Sequence, residues 1–128
     1  MKINRRVIKL TDTNMITTIL KAADEKKAFD IKLLDIKKLT TITDYFLICS
    51  GNSERQVKAI AKGIEEKMYK LGYILKNKEG HNVGRWILLD FGGIVAHIFY
   101  KEDREFYNLE RLWVDAEDID VDKFITYN

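Results

Sequence analysis

The sequence predicts an α/β fold, a single domain in which helices flank a mixed β-sheet, and three stretches carry that expectation. Residues 85–100, RWILLDFGGIVAHIFY, read as two apolar strands around a Gly92-Gly93 turn, since glycine accepts the positive φ that two-residue hairpins demand. In residues 43–50, TDYFLICS, Tyr45, Leu47 and Cys49 alternate with Phe46 and Ile48, so both faces are apolar and the strand belongs inside the sheet. Between these two stretches Val57, Ile60, Ala61, Ile64, Met68 and Leu71 mark one continuous helical stripe.

In chain order, a first helix is expected from Asp12 or Thr13 as N-cap, with Ile16, Ile19, Leu20 and Ala23 on one face and an end near Lys27 or Ala28. Residues 31–36 read as a strand, followed by the central strand. Gly51-Asn52-Ser53 then opens the long helix, where Ser53 and Gln56 stand at capping-box spacing. Gly72 is placed to end it. A short strand is expected over 73–76, making a right-handed parallel crossover, and a loop holding Gly80 and Gly84 over 77–84. After the hairpin, residues 103–112 read as a helix carrying Phe106, Tyr107, Leu109 and Leu112, followed by Trp113. The domain thus spans 13–113. A basic arm with Lys2, Arg5, Arg6 and Lys9 occupies 1–12, and an acidic tail with Asp115, Glu117, Asp118, Asp120 and Asp122 occupies 114–128; both read as solvated segments.

Bulk properties narrow the function. A chain of 128 residues can bury a real core. With 22 basic and 20 acidic residues the net charge of +2 argues against coating nucleic acid by electrostatics alone. The single Cys49 excludes an intrachain disulfide and reads as a buried thiol in a reducing compartment. The uncharged stretches are too short to span a bilayer, so a soluble cytoplasmic protein without membrane partners is expected.

The candidate sites are few. A glycine-serine turn before a helix can cradle phosphate, but Gly51-Asn52-Ser53 lacks the lysine and spacing of a P-loop, and capping alone accounts for it. Asp118, Asp120 and Asp122 lack the glycine and distal glutamate of a calcium loop. His81 and His97 make no zinc signature, and no cofactor is expected. Asp35, Asp44 and Asp90 lie at or near strand ends, where convergence would make a metal site. In the hairpin, Trp86, Leu88 and Asp90 share a face with Val95, His97 and Phe99, opposite Ile87, Leu89, Phe91, Ile94, Ala96 and Ile98. Both faces are apolar, so the first either lies under further helix or awaits a partner. For His97 two readings stay open: a half-buried ring held by a hydrogen bond, or a partner contact beside Phe99. Trp86, on the same face as Asp90, suits the margin of an interface.

Three blocks together, TDYFLICSGNS from Thr43, WILLDFGGIVAHIF from Trp86 and REFYNLERLW from Arg104, resemble the ribosomal silencing factor family, also called Iojap-like proteins. Glu79-Gly80 before the tryptophan strand belongs to the same pattern. The resemblance implies a nucleotidyltransferase-like topology without the catalytic carboxylates, and a non-enzymatic repressor of translation. It implies binding to the large ribosomal subunit through ribosomal protein L-fourteen, exclusion of the small subunit, and a homodimer when free. It makes Trp86, Leu88, His97 and Phe99 the expected partner contacts, with Arg104, Tyr107 and Glu110 from the terminal block either binding or bracing. A salt-sensitive contact between the basic arm and ribosomal RNA is a further expectation. The competing reading is a magnesium-dependent nucleotide-using enzyme working at the Gly51 to Ser53 turn with Asp35, Asp44 or Asp90.

Overall fold

A computed structural model describes residues 10–125. Its helices and strands run α1 (Leu10–Glu25), β1 (Phe29–Asp35), β2 (Tyr45–Gly51), α2 (Glu54–Lys70), β3 (Asn77–Glu79), β4 (Trp86–Asp90), β5 (Ile94–Tyr100), α3 (Lys101–Tyr107), α4 (Leu109–Leu112) and β6 (Glu117–Ile119). The strands form one six-stranded sheet in the order β3-β4-β5-β2-β1-β6. Only β2 and β5 pair in parallel; the other four pairings are antiparallel. This is the mixed sheet flanked by helices that the sequence predicts.

β2 is buried along its whole length, as its two apolar faces require. The hairpin forms as expected. Phe91 N–H donates to the Ile94 carbonyl at 3.0 Å, leaving Gly92 and Gly93 as the two turn residues. Gly92 has φ +88 while Gly93 stays outside the left-handed region, which is the type II′ pattern. Asp90 Oδ1 steadies the turn by accepting from Gly92 N–H at 2.8 Å.

Helices α1 and α2 cover one face of the sheet. Ile16, Ile19, Leu20, Val57, Ile60 and Ile64 pack there against Leu33, Leu47, Ile87, Leu89, Ala96 and Ile98 in the larger core. Ser53 caps α2 by accepting from Gln56 N–H at 3.0 Å, whereas the Gln56 side chain accepts from Asn52 N–H at 2.6 Å, one residue before the expected capping-box donor. Its amide nitrogen reaches across to the Lys26 and Lys27 carbonyls. Those carbonyls lie where α1 ends in a Schellman turn, with Lys27 at φ 66 and Ala28 N–H bonded to the Ala23 carbonyl.

Several boundaries differ from expectation. α1 already includes Leu10, so Asp12 lies in its first turn instead of capping it, and there its carboxylate accepts from the Tyr45 hydroxyl at 3.3 Å. The other residues of the expected arm, 1–9, lie outside the described residues. β1 starts at Phe29 and carries a bulge between Phe29 and Lys32, with Asp30 at φ 49. Residues 73–76 form no strand. The edge strand is β3, inside the expected loop; it runs parallel to β2 but lies three places away, beyond β5 and β4. The helix expected over 103–112 starts at Lys101 and breaks at Asn108, which sits in the left-handed region at φ 47.

The acidic segment after Trp113 is not a free tail. β6 pairs with β1, matching Ile119 to Leu33, and a 3-10 turn at Val121–Lys123 leads to Ile125, which is buried in the larger core. Alternate apolar residues amid the carboxylates explain this, since Ile119, Val121 and Ile125 anchor the segment while the acids face solvent. Among the described residues, no helix is long and apolar enough to cross a membrane.

Candidate functional site

The other face of the sheet carries a smaller core. Leu34, Ile36, Phe46, Ile48, Val95 and Phe99 meet Leu109 there, with Trp86, Leu88, Trp113 and Ala116 packed around the edge. The chain reaches this face by turning from β5 directly into α3 at Tyr100. The left-handed Asn108 then redirects it so that Leu109 is buried against the sheet. A non-glycine residue holding that conformation is local strain, and asparagine bears it better than most.

Arg104 and Arg85 hold the covering helices down. Arg104 donates from Nη1 to the Asp30 carbonyl at 2.5 Å and to Ser50 Oγ at 2.9 Å, and from Nε to Glu110 Oε1 at 3.0 Å. Its side chain is only 12% exposed, so it braces the fold. The β1 bulge explains the geometry, because Asp30 lies in the bulged stretch and its carbonyl meets the guanidinium. Arg85 grips Asp103 with Nε and Nη2 and stacks on the Tyr100 ring at 4.8 Å.

A chain of aromatic rings crosses this face. Trp86 stacks on Phe99 at 4.7 Å and meets Tyr107 at 5.0 Å, and Tyr107 meets Phe106 edge-on. On the other side Phe46 presents T-shaped contacts to both His97, at 4.8 Å, and Trp113, at 5.1 Å. Trp86 Nε1 donates to His97 Nδ1 at 3.1 Å. His97 is 5% exposed, and burial pushes its pKa down to about 4, so the ring is neutral near pH 7.

The expected partner contacts therefore divide. Trp86 and Leu88 are partly exposed and, with Glu79, line a cavity of about 310 Å³. Tyr107 is 52% exposed. Phe99 and His97 do not face outward: Phe99 lies beneath Trp86, and His97 is buried between Phe46 and Trp86. Pattern alone placed them on the correct face, but α3, α4 and Trp113 cover much of that face. Sequence reasoning missed the exposure of Phe106 and Leu112, at 81% and 77%; Phe106 meets the Tyr107 ring and extends the apolar surface beyond it.

Gly80 supports Trp86 through the backbone. At φ +78 it lies so close to the Trp86 carbonyl that a Cβ would stand 1.9 Å from that oxygen. No other residue fits there without moving β4.

The residues of the nucleotide reading do not assemble. Asp35 pairs with Tyr45 and Asp90 with Val95, so with Asp44 they sit at the start of β2. The Gly51 to Ser53 turn is at its far end, roughly 20 Å away for seven residues of strand. Asp35 and Asp90 accept from Lys37 N–H and Gly92 N–H in local turns. Among the described residues, no group of three or more His, Cys, Asp or Glu side chains is placed to hold a metal. Cys49 is buried and its thiol is pushed up to about 12 by burial, which removes nucleophilic character.

Comparison with known proteins shows the family of the whole chain. Residues 9–127 match the family model described as ribosomal silencing factor during starvation. The Bacillus subtilis ribosomal silencing factor RsfS is 46% identical over 101 residues, covering 79% of this chain and 86% of that protein. The Halalkalibacterium halodurans RsfS is 38% identical over 117 residues, covering 91% of this chain and all of that one. A crystal structure of a Chromobacterium violaceum protein superposes with a TM-score of 0.77 at 32% identity, over 83% of this chain and 87% of that one.

Proposed function

The chain belongs to the ribosomal silencing factor family, and on that premise we propose that it represses translation by binding the large ribosomal subunit and keeping the small subunit away. The contact is ribosomal protein L-fourteen, reached through the aromatic face of the sheet. The observation that carries this reading is the run of partly exposed apolar surface from Leu88 and Trp86 across Tyr107 to Phe106, lying on braced secondary structure. Interfaces draw their binding energy from such aromatic anchors on a rigid base. The mechanism requires no bond making. A domain of this size seated on the intersubunit surface excludes the incoming subunit by volume, and its affinity sets the degree of repression.

The partner contacts on this reading are Trp86, Leu88 and Tyr107, with Phe99 and His97 acting from beneath and Arg104 holding the scaffold. The protein works in the cytoplasm and is a homodimer when free. The basic residues Lys2, Arg5, Arg6 and Lys9 add a salt-sensitive contact with ribosomal RNA, so deleting residues 1–9 reduces the salt dependence of binding.

Sedimentation of the purified protein with isolated subunits tests the reading. Co-migration with the large subunit alone, together with fewer joined ribosomes, is expected. Failure to bind at micromolar protein, or co-migration with the small subunit, would overturn it.

A further inference from the structure

His97 is a polar residue in the middle of an aromatic core, and it is only half satisfied. Its Nδ1 accepts from Trp86 Nε1, so the ring proton resides on Nε2. That Nε2 is buried and has no hydrogen-bond partner. A buried donor without an acceptor costs about 1–3 kcal/mol, whereas a phenyl ring at the same position would bury similar area with no such cost. Packing therefore favours an apolar residue here. What histidine supplies that phenylalanine cannot is the acceptor for the Trp86 indole.

That acceptor decides what Trp86 shows to a partner. The nitrogen is the only polar atom of the indole, and it is turned inward onto His97 while the ring rests on Phe99 and against Tyr107. The partly exposed remainder is hydrocarbon, and with Leu88 and Glu79 it lines the cavity of about 310 Å³. We propose that His97 is a positioning residue for recognition: by engaging the indole N–H it fixes Trp86 so that the partner meets an apolar edge, and the cavity beside it receives an apolar side chain of that partner. This rests on the large-subunit reading above and adds to it the chemistry of the contact and the residue that sets it.

A double-mutant cycle tests this in the full chain, using large-subunit affinity, exchange of the Trp86 indole proton by NMR, and thermal stability. His97→Phe is expected to leave the melting temperature unchanged or raised, to speed indole exchange about tenfold, and to weaken binding about fivefold. His97→Asn, whose Oδ1 can take the place of Nδ1, is expected to restore both exchange and affinity to within about twofold of the parent. In a Trp86→Phe background, which has no indole N–H, His97→Phe is expected to change affinity little. Parent-like binding by His97→Phe would overturn the proposal, as would an equal loss in both backgrounds or unaltered indole exchange. Should phenylalanine overpack the site, His97→Leu carries the same comparison. If the parent itself fails to bind large subunits, the functional reading falls, and with it the role of His97 in recognition, while indole exchange separately shows whether His97 holds the ring.

Discussion

The two faces of the sheet are built for different ends. Beneath α1 and α2 lies a large core of aliphatic side chains, extended by Ile125 from the C-terminal segment. Across the sheet lies a smaller core in which Phe46, Phe99 and Trp86 pack with aliphatic side chains, covered by two short helices and bordered by exposed apolar residues. The first face supplies most of the buried aliphatic surface. The second keeps a half-satisfied His97 beneath Trp86, a cost that burial alone does not require.

Damage to the large core should be the most severe for folding. Ile60→Ala removes a fully buried side chain from α2 and is expected to cost about 3 kcal/mol by chemical denaturation. A loss below about 1 kcal/mol would mean that the helical face is not the main source of stability.

The pH response should come from the small core. The folded pKa of His97 lies near 4, below its ordinary 6.5, so the unfolded chain takes up its proton first as pH falls. Stability from the neutral ring is therefore complete above pH 6.5 and is lost as the pH falls toward about 4, with a total on the order of 3 kcal/mol. The difference between parent and His97→Phe across that window isolates it. An unchanged difference would show that His97 is not held neutral by burial.

Arg104→Ala should rank next, at about 2 kcal/mol, because it strips partners from the Asp30 carbonyl, Ser50 Oγ and Glu110 together. Lysine cannot reproduce the fork, so Arg104→Lys should restore little. Smaller still in folding is Trp86→Ala, where a partly exposed ring is lost. It should lower the melting temperature by only a few degrees while weakening large-subunit binding about tenfold, equivalent to about 1.4 kcal/mol. A variant that unfolds would place Trp86 in the core and blur the distinction between the faces.

The large core was legible because its signals are periodic. Tyr45, Leu47 and Cys49 in β2 and the stripe from Val57 to Met68 declare strand and helix without reference to anything distant. The edges were not. Asn77, Lys78 and Glu79 form a strand only because β4 lies beside them, and a short polar edge strand has no pattern of its own. Glu117, Asp118 and Ile119 were equally opaque, since carboxylates dominate and the pairing with β1 is long-range. The sequence placed Trp86, Leu88, His97 and Phe99 on one face. It did not disclose that Asn108 would fold the chain back over that face and bury two of the four, because a left-handed asparagine breaks a helix without a glycine or proline to mark it.

The claim that the aromatic face is the docking face is tested most directly with two matched aromatics, Phe106 on α3 at 81% exposure and Tyr69 on α2 at 83%. Each is replaced by serine and titrated against isolated large subunits by co-sedimentation. Phe106→Ser should weaken binding about tenfold while Tyr69→Ser binds like the parent. Loss of binding in Tyr69→Ser with full binding in Phe106→Ser would move the contact to the helical face and contradict the account.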